Sequence, residues 1–277
     1  KAHVLKVAKE YGYRPNIHAR NLAGGKSMLI GIVVFNLKNE YFSNLIMEIE
    51  KCCKDIGYST IVMFSHKDKQ CEIECLEQLY FMGVDGIILC PINDGIEFSN
   101  YVQSFHIPTV TVGNKIDHVC FAGINDYEAM SEAAKYVIGK GYHHFVYVSS
   151  SLPENSEFNA YAQIMRYNGF LDVCRSHTLE YHVAFDVNEV SKYIRQNKKN
   201  AILCSTDHYA LKLLPFAKHQ KIGIMGFDNI SALDDYDMGL DSVSYNSKEI
   251  ASAALNIILK KAKTTFVAHS IVKRGSI

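Results

Sequence analysis

From residue 28 to residue 262 the chain alternates short apolar runs with longer stretches that carry an apolar stripe at helical spacing. The runs at 29–35, 59–64, 85–90, 108–113, 119–123, 144–149, 180–185, 201–205, 222–227 and 241–245 have the length and composition of buried strands. Helices are predicted near 41–56, 69–82, 127–140, 157–175, 187–197, 207–220 and 247–262. In the first of them Phe42, Leu45, Ile46, Ile49, Cys53 and Ile56 fall on one face. Strict alternation of strand and helix with short links predicts parallel sheets with helices on both faces. The strands are too many for one compact sheet. The pattern therefore predicts an α/β fold with two doubly wound subdomains and a ligand cleft at the carboxyl ends of the strands.

The first thirty residues follow another pattern. Val4, Val7, Ala8 and Tyr11 mark one face of a helix that Gly12 ends. Pro15 disfavours helix at Arg14. Asn16 can cap a second helix, with Gly24 as its stop. That helix has about eight residues, and isolated helices shorter than about 12–15 are marginal in water. It forms only when something holds it.

A chain of 277 residues is natural for two cores, and 48% apolar with 21% charged residues describes an ordinary globular protein. No apolar run is long enough to span a bilayer, and no signal peptide is visible. The net charge is zero but unevenly placed: residues 1–30 hold six Lys or Arg and one Glu, the remainder 23 basic and 28 acidic groups. A basic arm on a mildly acidic body points to a polyanion partner for the arm alone. Eight scattered cysteines without a CxxC spacing fit a reducing cytoplasm.

Candidate chemistry is sparse. Ala23-Gly24-Gly25-Lys26-Ser27 resembles the end of a phosphate-binding loop, but Arg20 stands where that loop needs its first glycine, and the order here is helix then strand. No GxGxxG follows a strand, so no dinucleotide cofactor is expected. His143-His144 has no acidic or cysteine partner at metal spacing and reads as a turn. Cys71 and Cys75 share a helix face and read as packing. No Gly-x-Ser-x-Gly elbow occurs. The expectation is a protein that is not an enzyme and has no cofactor and no metal.

Motifs in order along the chain give a positive identification. They are Tyr13-Arg14-Pro15-Asn16 with Ala19-Arg20 and Leu22, Asn39-Glu40-Tyr41-Phe42, Val84-Asp85-Gly86-Ile87-Ile88, Ile107-Pro108-Thr109-Val110, Gly141-Tyr142-His143, Arg166 with Gly169-Phe170, Thr206-Asp207 with Ala210, Gly226-Phe227-Asp228-Asn229 and Arg274-Gly275-Ser276. The series resembles the lactose-repressor/galactose-repressor family of bacterial transcription regulators.

The resemblance implies a periplasmic-binding-protein-like core with three crossovers, placed near 149–151, 244–246 and 263–265. Residues 28–149 with 246–263 would form one subdomain and 150–245 with 264–277 the other. Residues 1–27 would be the last helix of the DNA-binding domain plus a hinge helix, so operator DNA is a partner of the full-length protein. Asn16, Ala19 and Arg20 would face the groove or phosphates, and Leu22 would wedge into the minor groove. For the effector, Arg166 would offer its planar fork and Asp228 would accept from hydroxyls, unless the two simply pair as ions. Tyr41, Phe42 and Phe185 would flank or stack on it, or serve as core. Asn125 and Asp126 invert the family's usual order, and Thr206 replaces a common asparagine. A cytoplasmic homodimeric repressor answering to a sugar or sugar acid is implied, with a purine or nucleoside second and no membrane contact. The rival class is a periplasmic or surface sugar-binding protein without a DNA role.

Overall fold

The computed structural model describes residues 10–11, 25–150 and 156–277. The hinge positions Asn16, Ala19, Arg20 and Leu22 lie outside the described residues. In chain order the elements are β1 (Leu29–Val34), α1 (Glu40–Asp55), β2 (Ser59–Phe64), α2 (Lys69–Phe81), β3 (Gly86–Leu89), α3 (Gly95–Ser104), β4 (Thr109–Val112), β5 (Cys120–Gly123) and α4 (Asp126–Gly139). There follow β6 (His144–Val148), α5 (Tyr161–Ser176), β7 (Glu180–Ala184), α6 (Val190–Tyr193), β8 (Asn200–Cys204), α7 (Asp207–Gln220), β9 (Gly223–Asp228), α8 (Ala232–Asp235), β10 (Asp241–Ser244), α9 (Ser247–Ile258), β11 (Thr265–Phe266) and β12 (Ser270–Val272).

The strands form two six-stranded sheets, ordered β11-β5-β4-β3-β1-β2 and β12-β10-β9-β8-β6-β7. Every pairing is parallel except that of β12 on β10. The apolar runs are buried on both faces, as parallel sheets under helices require: Ile30, Ile32, Val33 and Val34 in β1, and Phe145 to Val148 in β6, are almost inaccessible. Asp85 accepts hydrogen bonds from the backbone of Ser27 (3.0 Å) and Met28 (2.9 Å), which fixes the chain as it enters β1.

Two expected crossovers are corrected. The sequence reading set the first at 149–151, yet β6 pairs within the second sheet, and α4 packs along α5 and against β10. The chain therefore crosses between β5 and α4. The polar run after β6 resembles a linker only because loops at the carboxyl edge of a sheet are polar too. The third was set at 263–265, but β11 still belongs to the first sheet and β12 to the second, so the passage falls at 267–269. Strands of two and three residues leave no periodic signal. After β10 the chain returns to the first sheet, where α9 packs on α1.

The α4–α5 contact is close because Gly169 has no side chain: a Cβ there would stand 2.3 Å from the Tyr127 carbonyl oxygen. Helix α3 was not predicted, and of the helix expected at 187–197 only a 3-10 turn (Val187–Glu189) and α6 exist. No described helix is long and apolar enough to cross a membrane.

Candidate functional site

The cleft is built from segments that leave the carboxyl ends of the strands. After β1, Asn39 caps α1 by accepting from the Tyr41 N–H at 2.9 Å, and Tyr41 is thereby directed inward and buried. After β5, Asn125 caps α4 and accepts from the Glu128 N–H at 3.3 Å, so its side chain is spent on the helix. Asp126 follows, 3% exposed. The middle of α5 contributes Arg166, and the segments after β9 and β10 contribute Asp228 and Tyr245.

Arg166 is the hub. Its Nε donates to Asp126 at 2.7 Å, one terminal nitrogen donates to the Ser205 carbonyl at 2.6 Å, and the other donates to the Tyr245 hydroxyl. Asp228 lies 3.8 Å from the guanidinium. The guanidinium sits over the Phe227 ring, 3.9 Å from its centroid, and Tyr41 packs on Tyr245 with ring centroids 4.2 Å apart. Arg166 is thus a buried bridge among these groups. Its strong pair is Asp126, where the sequence had offered Asp228.

Burial raises the pKa of Asp126, with the Arg166 charge opposing it, and raises that of Asp228 well above the usual carboxylate value. Burial alone would lower the pKa of Arg166, but Asp126 and Asp228 outweigh it and the net direction is upward. One guanidinium cannot neutralise two buried carboxylates. Asp126 has the short contact, while Asp228 stands farther from the guanidinium and takes a hydrogen bond from the Asn39 side chain. Its backbone is strained as well, with φ at 122° and the next residue, Asn229, at 50°. Non-glycine residues in that region cost about 1–3 kcal/mol and tend to mark functional sites.

Beside Tyr41 and Asp228 opens a polar cavity of about 540 Å3, walled by Asn44, Glu48, Asn229 and the crossing segments 244–249 and 268–270. That volume is of small-molecule size. The subdomains also touch on both flanks. Glu40 accepts from the Ser231 N–H at 2.6 Å and from its hydroxyl. Asn159 donates its N–H to the Ile92 carbonyl at 2.8 Å, and its amide donates to the carbonyls of Asn93 (3.2 Å) and Lys115 (3.1 Å). The buried Glu72 carboxylate holds that wall by accepting from the Ile92 and Asn93 N–H groups.

Of the expected effector residues, the structure brings Tyr41, Asp126, Arg166 and Asp228 together. Phe42 lies just outside, edge-on to Phe35 at 4.7 Å. Phe185, after the edge strand β7, is 39% exposed and is not among the rings that pack here. Thr206 precedes α7 without a side-chain capping bond. Its neighbour Asp207, not singled out from sequence, is fully buried and accepts from Ser242 Oγ (2.6 Å) and the Ile230 N–H (3.0 Å). Tyr245 was also missed; its signal was its place one residue beyond the end of β10, where Ser244 stands opposite Asp228 of β9.

A two-subdomain α/β receptor with a small-molecule cleft is the class these features define. Residues 27–209 match the family described as periplasmic binding proteins and sugar binding domain of the LacI family, and the chain belongs to that family. It is 25% identical to catabolite control protein A of Staphylococcus epidermidis, over 99% of this chain and 88% of that protein. It is 24% identical to the sucrose operon repressor of Pediococcus pentosaceus, over 94% of this chain and 82% of that one. Among solved structures, a periplasmic binding protein/LacI transcriptional regulator from Alkaliphilus metalliredigens, complexed with D-xylulofuranose, shares the fold. Its TM-score is 0.70 at 24% identity, covering 89% of this chain and 98% of that one.

Proposed function

We propose that this protein is a sugar-responsive transcription repressor whose effector enters the cleft beside Asp228. The observation that carries the reading is the buried Asp126–Arg166–Asp228 cluster beside a polar cavity at the junction of the subdomains. A sugar or sugar acid suits that site, since its hydroxyls can donate to Asp228 while its ring faces lie against Tyr41 and Tyr245. The relatives are named for catabolite control and for a sucrose operon, and a protein of the same fold is complexed with a furanose sugar. These names also favour a DNA-binding regulator over the periplasmic alternative and over any enzyme. The protein acts in the cytoplasm as a homodimer in this reading. Asn16, Ala19, Arg20 and Leu22 form the DNA hinge, and effector binding changes the angle between subdomains and so the packing of paired hinges. Coupling of about 1–3 kcal/mol is usual for such linkage.

The test uses the whole gene product. DNA selected from a random pool is labelled, and its affinity is read by fluorescence anisotropy with and without sugars. A selected site whose affinity changes at least fivefold with one sugar supports the proposal. Failure to select any site, or a site indifferent to every sugar, contradicts it.

A further inference from the structure

Three ligand-bearing side chains meet at the amino-terminal end of the second sheet, the opposite end from the cleft. His144 opens β6 and is paired with Glu180, which opens β7, while His182 lies two residues along β7. The strand pleat sets all three on one face. The sequence suggested a turn without a metal partner for His143-His144, because the partners come from a neighbouring strand 36 residues on rather than from nearby sequence.

His144 is wholly buried, and neither of its ring nitrogens makes a hydrogen bond of normal geometry, although the Asn200 side chain lies close to the ring; Nε2 of His182 is likewise buried without one. Buried imidazole nitrogens normally find partners. Glu180 Oε1 stands 3.6 Å from His144 Nε2 and 3.9 Å from His182 Nε2, too far for a hydrogen bond. All three ligand atoms fall within 4.8 Å of one another. Tetrahedral zinc, with bonds of about 2.0–2.2 Å, sets its ligand atoms about 3.3–3.5 Å apart. A small inward movement of the side chains reaches that geometry.

We infer that His144, His182 and Glu180 form a binding site for a divalent transition metal of the zinc class, with water in the remaining position. The surroundings suit this role. Lys198 holds the other carboxylate oxygen of Glu180, and Arg195 Nε lies 3.6 Å from Oε1, so the carboxylate is oriented. Tyr193 stacks on the His182 ring with centroids 4.9 Å apart and an interplanar angle of 17°. Lys198 and Arg195, as cations beside Glu180, lower the affinity the site can reach. Metal here would pin the edge strand β7 to β6, remote from the effector.

The probe is Zn2+ alone, titrated by calorimetry into untagged, metal-stripped protein, with Co2+ as a spectroscopic substitute. The wild-type protein is expected to take up one equivalent and to melt at a higher temperature when loaded. His182→Gln and Glu180→Gln, on partly exposed side chains, should keep the metal-free melting temperature near that of wild type and weaken uptake about tenfold or more. Cobalt should give ligand-field bands without the near-ultraviolet thiolate charge-transfer band that cysteine ligation produces. No stoichiometric uptake, a thiolate band, or affinity unchanged in both variants would overturn the assignment.

Discussion

Replacing Arg166 with methionine keeps the stem and removes the charge that Asp126 holds at 2.7 Å and Asp228 faces at 3.8 Å. Two buried carboxyls are then left with less compensation, and the Ser205 carbonyl loses its donor. Breaking a buried pair from one side costs about 3–5 kcal/mol. At about 2–4 °C per kcal/mol for a chain near this size, the midpoint of thermal unfolding should fall by roughly 10 °C. The loss should also depend on pH in a definite sense. Burial already raises both carboxyl pKa values, and Arg166 opposes that rise. Without it they rise further. A carboxyl whose folded pKa exceeds its unfolded value favours the fold fully below that unfolded value, near 4, and loses the contribution as pH rises through the folded pKa. The deficit of Arg166→Met should therefore be largest at about pH 8 and shrink toward about pH 5. Urea unfolding followed by circular dichroism across that range measures it. A deficit below about 1 kcal/mol, or one constant with pH, would refute the claim that the guanidinium compensates two buried carboxylates.

Gly169→Ala should destabilise the second subdomain by about 1–3 kcal/mol, since its Cβ meets backbone rather than a movable side-chain end; chemical denaturation reads this. Glu72→Gln turns an amide NH2 toward the donors of Ile92 and Asn93 and should cost about 1–3 kcal/mol, with faster amide exchange at those residues as the local signature. Glu40→Ala removes an exposed latch to Ser231 and should cost no more than about 1 kcal/mol, yet widen the cleft, seen as a larger radius of gyration in small-angle scattering.

The strand alternation was legible because fully buried parallel strands such as β1 and β6 are continuous apolar runs that few other structures require. Helix α1 was legible from its stripe: Leu45, Ile46, Ile49 and Cys53 are buried as the stripe required, while Tyr41 is buried outside it and Ile56 on it is exposed. The two displaced crossovers were not legible, because a chain changes sheets through polar links that look like any other loop. Arg166, Asp126 and Asp228 were singled out through the resemblance to the family. Their partnership was not: which carboxylate takes the short contact depends on the packing of α4 against α5, which local sequence leaves open. Tyr245 and Asp207 read as ordinary residues until the strand ends are brought level. The His144–Glu180–His182 cluster was invisible for the same reason, since register between β6 and β7 makes it.

The most direct test of the central claim is a thermal-shift screen of the protein against sugars, sugar acids, sugar phosphates and nucleobases, repeated with Asp228→Asn. The account predicts that a member of the sugar classes raises the melting temperature, as ligand linkage requires, and that Asp228→Asn abolishes the rise while remaining folded. A folded protein that answers to none of these compounds, or a hit that survives loss of the Asp228 carboxylate unchanged, would contradict an effector site in this cleft.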